Sequence, residues 1–182
     1  MQKERMGAGS IIIEGKMWVL GGCGKGLFPL ASTELIDSHE PKMLSSSDEF
    51  SKSHSVNKPT IFYIDLPEVL ARHSIVRLNN TMSLLIAGQP GDPGGMQSNR
   101  TYYFHHETNT WTNGPHLTTA RILHAAGVIK DRGTLTEHVV VTGGATYGDS
   151  GSETIDSVEI MFSNENKWTS GTSCLRVGKS LN

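Results

Sequence analysis

The sequence is short of cysteine, of net charge and of long hydrophobic runs. Its 182 residues include two cysteines, Cys23 and Cys174, whose spacing suits neither a disulfide framework nor a zinc site. Sixteen basic and eighteen acidic residues leave a net charge of -2, which gives no reason to expect nucleic acid or an anionic membrane as a partner. The polar start "MQKERMGAGS" is unlike a signal peptide, and no later run is long enough to span a membrane. These features favour a cytoplasmic protein, or a secreted one if the N-terminus is incomplete.

A glycine-rich stretch at 17–30, "MWVLGGCGKGLFPL", raises the question of phosphate binding. A P-loop needs a glycine five residues before its Gly-Lys pair, and Ser or Thr directly after that pair. Here the fifth residue before Gly24 is Val19, and Lys25 is followed by glycine. The second Gly-Lys pair, at 178–179, also lacks the earlier glycine. The glycines of "VLGG" therefore need another explanation, and we expect no nucleotide or other cofactor.

Short strands separated by turn residues dominate the chain, and a unit of strands repeats. Runs such as "KMWVLGG", "SLLIAG" and "HVVVTGG" are bounded by Gly, Asn, Asp and Ser, and no stretch has a convincing helical period. Trp111 lies 23 residues after Gly88. Trp168 lies 24 residues after Gly144. Such a period indicates a repeat architecture, and we predict an all-β chain.

The first copy of the unit departs from the other two. Its "STELID" matches "SVEIMF" of the third copy, but a hydrophilic insert at 38–59 follows, and Thr60 stands at the tryptophan position. The insert has the composition of a flexible surface loop. We therefore predict one repeat region over 1–182, with units at approximately 7–64, 73–114 and 124–171.

These motifs resemble the kelch repeat. The matching features are the small pair after an apolar strand, the strands "TYYF" and "SVEI", the tryptophans of "NTW" and "NKW", and "LTTARILHAAGV" between units. The resemblance implies a partial β-propeller built from four-stranded antiparallel blades. Glycines would end strands where a side chain meets neighbouring backbone, and tryptophans would stack one blade on the next. The motif residues are Gly21, Gly22, Gly88, Gly143, Gly144, Trp111 and Trp168.

About three blades leave a propeller open. Propellers usually close with four to eight blades, and open sheets present edges and faces that pair with other chains. We therefore expect either a piece of a longer propeller or self-association through the open blade edges.

Loops after the small pairs are expected to form a composite surface for a protein partner. Two of them, "QPGDPGGMQSNR" and "ATYGDSGSET", are long, occupy equivalent positions and carry apolar side chains. Arg121, in "ARILH", either faces a ligand or anchors the loop between blades. The resemblance implies a non-enzymatic scaffold or adaptor role for such a surface. The candidate partner-binding residues are Lys25, Asp92, Met96, Arg121, Tyr147 and Asp149.

We expect no catalytic residue and no metal site. Adjacent His105 and His106 point to opposite faces of a strand, and the acidic residues of the loops are explained as turn formers. An enzymatic alternative stays open, because some kelch-like propellers are copper oxidases resembling galactose oxidase. Cys23 is the candidate thiol for such a site, but nothing in the sequence places Tyr102 or His105 beside it.

A third alternative is a secreted propeller that binds glycans or matrix. Two N-x-Ser/Thr sequons, at Asn79 and Asn99, would be glycan acceptors in a secreted protein. Glycans on either asparagine would favour this alternative over a cytoplasmic interaction module.

Overall fold

The computed structural model describes residues 3–36, 64–91, 97–131, 133, 135–148, 151–162 and 165–171. Within these ranges the chain forms fourteen β-strands, one 3-10 turn at Lys25–Leu27 and no α-helix. The strands pair antiparallel throughout the described sheets. The prediction of an all-β, antiparallel chain is confirmed. The predicted insert at 38–59 and Thr60 lie outside the described residues.

Three sheets follow one another along the chain. Sheet I consists of β1 (Gly9–Ile13), β2 (Lys16–Leu20) and β3 (Thr33–Ile36). Sheet II consists of a short β4 (Leu70–Ala71) paired to the far end of β6, then β5 (Ser74–Arg77), β6 (Met82–Pro90), β7 (Ser98–His105) and β8 (Thr110–Asn113). Sheet III consists of β9 (Ala125–Lys130), β10 (Glu137–Thr142), β13 (Val158–Phe162) and β14 (Trp168–Ser170), and a separate hairpin joins β11 (Ala145–Gly148) to β12 (Gly151–Thr154).

Alternating apolar residues and tight turns account for the strands. In β10, Val139 and Val141 are buried, whereas Val140 points to the other side of the sheet and is partly exposed. Between β1 and β2, Glu14 and Gly15 have φ angles of 51° and 74°. Positive φ at both central residues is what a two-residue hairpin turn requires, so the connection matches the twist of the strands.

Leaving aside the two-residue β4, the first strands of the three sheets are β1, β5 and β9, the second are β2, β6 and β10, and the third are β3, β7 and β13. The sheets stand side by side with their first strands adjacent. Strand β1 contacts β5, and β5 contacts β9. One apolar cluster, which includes Leu20, Leu85 and Tyr102, lies between sheets I and II. A second, which includes Ile86 and Val139, lies between sheets II and III. Adjacent first strands and stacked sheet faces are consistent with a partial β-propeller.

A left-handed backbone recurs directly after β2 and β10 and at a register shift inside β6, between Ile86 and Gly88. The first residue of the small pair has φ between 52° and 65°, and the second has φ between 88° and 112°. The pairs are Gly21 and Gly22, Ala87 and Gly88, and Gly143 and Gly144. A Cβ atom on Gly21 would collide with the Leu70 carbonyl oxygen at the start of sheet II. This close approach explains the glycines of "VLGG", because the strand ends against the backbone of the next sheet.

Two kinds of backbone hydrogen bond recur between each sheet and the next. In the first, here called the glycine link, the second residue of the small pair donates its N–H to a carbonyl before the next sheet's first strand. In the second, here called the ladder link, a residue of positive φ donates its N–H to the equivalent residue of the sheet before. The glycine links are Gly22 to Leu70 at 2.9 Å and Gly88 to Arg121 at 3.1 Å, and the ladder links are Arg72 to Gly7 at 2.7 Å and Leu123 to Arg72 at 3.0 Å.

The two motif tryptophans lie on the last strands of sheets II and III. Trp168 is buried in the cluster between sheets II and III, and its Nε1 donates a 2.8 Å hydrogen bond to the carbonyl of Pro115. Trp111 is partly buried beside the cluster between sheets I and II, with its ring 4.7 Å from that of Phe104. Both side chains therefore pack where one sheet meets the next.

A candidate interaction surface at the loop ends of the sheets

The connections between the second and third strands of the three sheets leave from equivalent points. In sheets I and III these connections are 21–32 and 143–157 and begin at the small pair, whereas in sheet II the connection is 91–97 and begins three residues after Gly88. We call the edge of the molecule that carries them the loop face. Antiparallel neighbours alternate their connections between two edges, so connections at equivalent points of adjacent sheets share one edge.

A tight turn at 24–28 displays the most exposed large apolar side chains among the described residues of the loop face. The N–H of Gly24 donates to the carbonyl of Phe28 at 2.9 Å, and the N–H of Leu27 donates to the carbonyl of Gly24 at 3.1 Å. Leu27 is 64% exposed and Phe28 is 73% exposed. Leu27 also has a φ of 64°, an uncommon conformation for a bulky residue. The turn therefore holds two large apolar side chains in water on a hydrogen-bonded backbone.

Neighbouring sheets also touch across the loop face. The N–H of Leu70, at the start of sheet II, donates to the carbonyl of Leu30, in the sheet I connection, at 3.3 Å. Between sheets II and III, the Gln97 amide donates to Tyr147 O at 3.0 Å and accepts from Tyr147 N at 3.1 Å. These contacts tie the connections together, so the loop face is one continuous surface.

The predicted partner-binding residues have different positions. Lys25 is exposed in the tight turn, next to the two apolar side chains. Tyr147 is half-buried in β11, and Gln97 holds its backbone. Asp92, Met96 and Asp149 lie outside the described residues. Of the described candidates, Lys25 is the one whose side chain is open to a partner at the tight turn.

Arg121 does not face a ligand, which corrects its prediction as a partner-binding residue. Its side chain is 0% exposed, and its Nη2 lies 2.7 Å from Oε1 of buried Glu159. Its Nη1 donates to the carbonyl of Gly143 at 2.9 Å. The backbone N–H groups of Thr118 and Thr119 donate to the same Glu159 carboxylate at 2.6 and 3.1 Å. Arg121 therefore anchors the connection between sheets II and III, the second of the two roles considered for it.

The same anchor recurs in sheet I, where the sequence did not reveal it. Arg5 Nη2 lies 2.7 Å from Glu34 Oε1, and both side chains are buried. Arg5 Nη1 donates to the carbonyl of Gly21 at 2.7 Å, as Arg121 does to Gly143. Arg5 also donates to the carbonyl of Ser32 at 2.9 Å.

Sheet II replaces the anchor by an apolar pair. Leu70 occupies the arginine position, because its carbonyl accepts the glycine link as that of Arg121 does. Tyr102 occupies the glutamate position. It pairs with Leu85, two residues before the small pair of its sheet, as Glu159 pairs with Val141. Both Leu70 and Tyr102 lie in the cluster between sheets I and II.

Two buried histidines precede the first strands of sheets II and III. Burial lowers the pKa of His73 to about 4. Burial, followed by the charge of Arg121, lowers the pKa of His124 to about 4. His73 Nε2 accepts a hydrogen bond from the N–H of Gly9 at 3.2 Å, which requires an unprotonated Nε2. Both histidines are therefore neutral parts of the contacts between sheets at pH 7.

The two sequons differ in how available their amides are. Asn79 is exposed in the turn between β5 and β6, and its Oδ1 accepts hydrogen bonds from Thr81 N and Oγ1 at 2.8 and 3.0 Å. Asn99 Nδ2 instead donates to the carbonyl of Leu117 at 2.9 Å. A glycan on Asn99 would disturb a contact between sheet II and the following connection, whereas Asn79 carries no such constraint.

The residues considered for a copper site have other partners. Cys23 is buried and pairs through its backbone with Met6 and Pro29. Tyr102 donates its hydroxyl to Glu68 at 2.9 Å, and its pKa is raised, first by burial. His105 Nε2 is hydrogen-bonded to Thr112 Oγ1 at 2.9 Å. In the described part of the chain, no three His, Cys, Asp or Glu side chains are grouped to hold a metal ion.

Comparison with known proteins gives no family. No protein-family model matches the chain, and no curated protein matches its sequence. The described ranges also contain no helix that is both long and apolar enough to cross a membrane. The kelch resemblance therefore stays a prediction that rests on the residues quoted for it.

Proposed function

We propose that this chain is a kelch-type propeller segment that acts as a non-enzymatic protein-interaction module, with the loop face as its contact surface. The observation that carries the proposal is the tight turn at 24–28, with Leu27 and Phe28 held exposed beside Lys25. Contacts between connections at Leu30 and Gln97 extend this turn into a surface shared by three sheets.

The chemistry of the turn favours a protein segment as the ligand. A leucine and a phenylalanine in water offer a large gain on burial, and aromatic anchors of this kind dominate binding energy at protein interfaces. The backbone of the turn is already fixed by two hydrogen bonds, so binding would order little of it. Lys25 adds a positive charge at the rim. We therefore propose a partner segment with apolar anchors and a nearby acidic side chain.

Selection from a library of displayed random peptides tests this proposal and needs no identified partner. Peptides are selected on the wild-type chain, and their affinities are then measured for a Leu27→Ser/Phe28→Ser variant. We expect the dissociation constant to rise at least about thirtyfold, because the loss of even one of the two interface anchors costs about 2 kcal/mol. The Glu107→Ser variant, altered at an exposed turn between β7 and β8, serves as the control and should bind as the wild type does.

Two results would reject the proposal. Selected peptides that bind the double variant as tightly as the wild type would place the contact surface elsewhere. A failure to select any peptide from several independent libraries would argue against a peptide-binding role. Circular dichroism of both variants should match the wild type, because all three side chains are exposed.

A further inference from the structure

We propose that two copies of this chain join head to tail, with sheet III of each copy packing on sheet I of the other, so that six sheets close around one axis. This inference goes beyond binding at the loop face. It rests on the contacts that repeat between sheets I and II and between sheets II and III.

The face of sheet III that points away from sheet II carries an exposed apolar residue whose counterpart in sheet I is buried. Ile13 and Ile129 are each the fifth residue of their sheet's first strand, and they hold the same register against the second strand. Ile13 is 5% exposed, whereas Ile129 is 50% exposed. The face of sheet III thus has the composition of a sheet interface, but none of the described sheets covers Ile129.

The opposite face of sheet I has the same property. Val139 of sheet III and Met17 of sheet I stand at the same register, three residues before the end of their strands. Val139 packs against sheet II and is 4% exposed, whereas Met17 is 41% exposed. Ile12, which pairs with Met17 across the strands, is 61% exposed. One apolar position is therefore buried in sheet III, which packs on sheet II, and exposed in sheet I, where none of the described sheets packs on that face.

The backbone also offers a donor in sheet III and an acceptor before sheet I for a further glycine link. Gly144 has a φ of 98°, within the range of Gly22 and Gly88, but its N–H has no glycine link among the described residues. Arg5 takes the place of Arg121 in sheet I, since each donates to the first glycine of its small pair. The carbonyl of Arg5 is therefore the acceptor that the N–H of Gly144 would meet in a second copy.

A second copy of the chain supplies both the apolar face that would cover sheet III and the acceptor for the N–H of Gly144. Its sheet I brings Ile12, Met17 and the Arg5 carbonyl to the open face of sheet III. Two copies then form two identical contacts, and the ring contains six sheets, within the four to eight that close a propeller. Such a contact joins different faces of the two copies, so it ends in a closed ring when the rotation fits.

Sedimentation velocity on the full chain tests this arrangement. We expect a folded species of twice 19.8 kDa, since 19.8 kDa is the mass of one chain. Ile129→Glu and Met17→Glu should each shift the protein to monomer and weaken association about a hundredfold, because a charge enters an apolar contact. Leu135→Glu is the matched control, because Leu135 is also an exposed apolar residue but lies in the β9–β10 connection. It should stay a dimer.

Cross-linking then distinguishes a contact between sheet III and sheet I from a contact between the same sheet of both copies. Copies with Ile129→Cys are mixed with copies with Met17→Cys, and a short bifunctional maleimide is added. Cross-links between residues 129 and 17 are expected, above the background of the wild-type cysteines. A folded monomer at all concentrations, unchanged association of the glutamate variants, or cross-links only between identical positions would overturn the proposal. Peptide binding by a monomeric variant would show that the loop-face proposal survives such a result.

Discussion

Arg121 and Glu159 form a fully buried ion pair, with Nη2 2.7 Å from Oε1. The pair recurs as Arg5 and Glu34, and an apolar pair stands in its place in sheet II. One position of the repeat is thus built in two ways, with charge in sheets I and III and with hydrocarbon and a phenol ring in sheet II.

Replacing Arg121 by Leu should lower the free energy of unfolding by about 3–5 kcal/mol. The substitution leaves the Glu159 carboxylate buried without its counter-charge, which is the costly way to break a buried ion pair. Urea unfolding followed by circular dichroism measures the loss. A cost below about 1 kcal/mol would contradict the buried position of the pair.

The double variant Arg121→Leu/Glu159→Tyr copies the pair of sheet II and should be more stable than Arg121→Leu alone. The second substitution removes the isolated charge of Glu159. Part of the loss in stability remains, because the N–H groups of Thr118 and Thr119 no longer have the carboxylate as their acceptor. The same urea titration compares the two variants. A double variant less stable than the single one would show that sheet III cannot accept the apolar arrangement.

Gly21→Ala should cost more stability than Gly143→Ala, although both glycines hold the same place in the repeat. Both have positive φ, so each substitution costs about 1 kcal/mol from backbone conformation. At Gly21 the new methyl group also collides with the Leu70 carbonyl oxygen, whereas at Gly143 the nearest atom is Ile155 O at 3.6 Å. Thermal unfolding of the two variants measures the difference. Equal losses would show that sheet II does not press on Gly21.

Stability should fall as the pH is lowered from 6.5 to 4. The folded chain holds His73 and His124 at a pKa of about 4, below the value of 6.5 expected when they are unfolded. In that window the unfolded chain binds more protons, so acid favours unfolding, by up to roughly 3 kcal/mol for each histidine. Urea unfolding at several pH values gives the slope.

A His73→Gln variant should show a flatter dependence over the same window, because one of the two titrating groups is gone. His116→Gln, which changes an exposed histidine, is the control and should keep the wild-type slope. A His73→Gln variant with the full slope would mean that His73 is accessible to water in the fold.

The strands and their sheets could be predicted from the sequence because their signals are local. The small pair after each apolar run marks left-handed backbone in or just after a second strand, and the tryptophan marks a last strand. The spacing between these residues therefore outlines sheets II and III. Ala87 shows the limit of the signal, since it keeps the left-handed backbone with φ 52° in place of glycine.

The anchors and the exposed turn could not be predicted as easily. For Arg121 the sequence left two roles open, facing a ligand or anchoring the loop between blades, and it gave no sign of a role for Arg5. A buried arginine depends on a carboxylate brought close by folding. The sequence drew attention to Lys25, but nearby Leu27 and Phe28 are the exposed apolar side chains of the turn. An apolar pair between Gly26 and Pro29 was the available signal, since two large apolar residues inside a turn have no strand to bury them.

The ladder links at Gly7, Arg72 and Leu123 use main-chain atoms alone. Three residues as different as glycine, arginine and leucine hold the same left-handed conformation there. Such a contact depends little on side-chain chemistry. The sequence of a sheet can therefore change, or its segment of chain can be duplicated, and the sheet can still pack in register beside its neighbour.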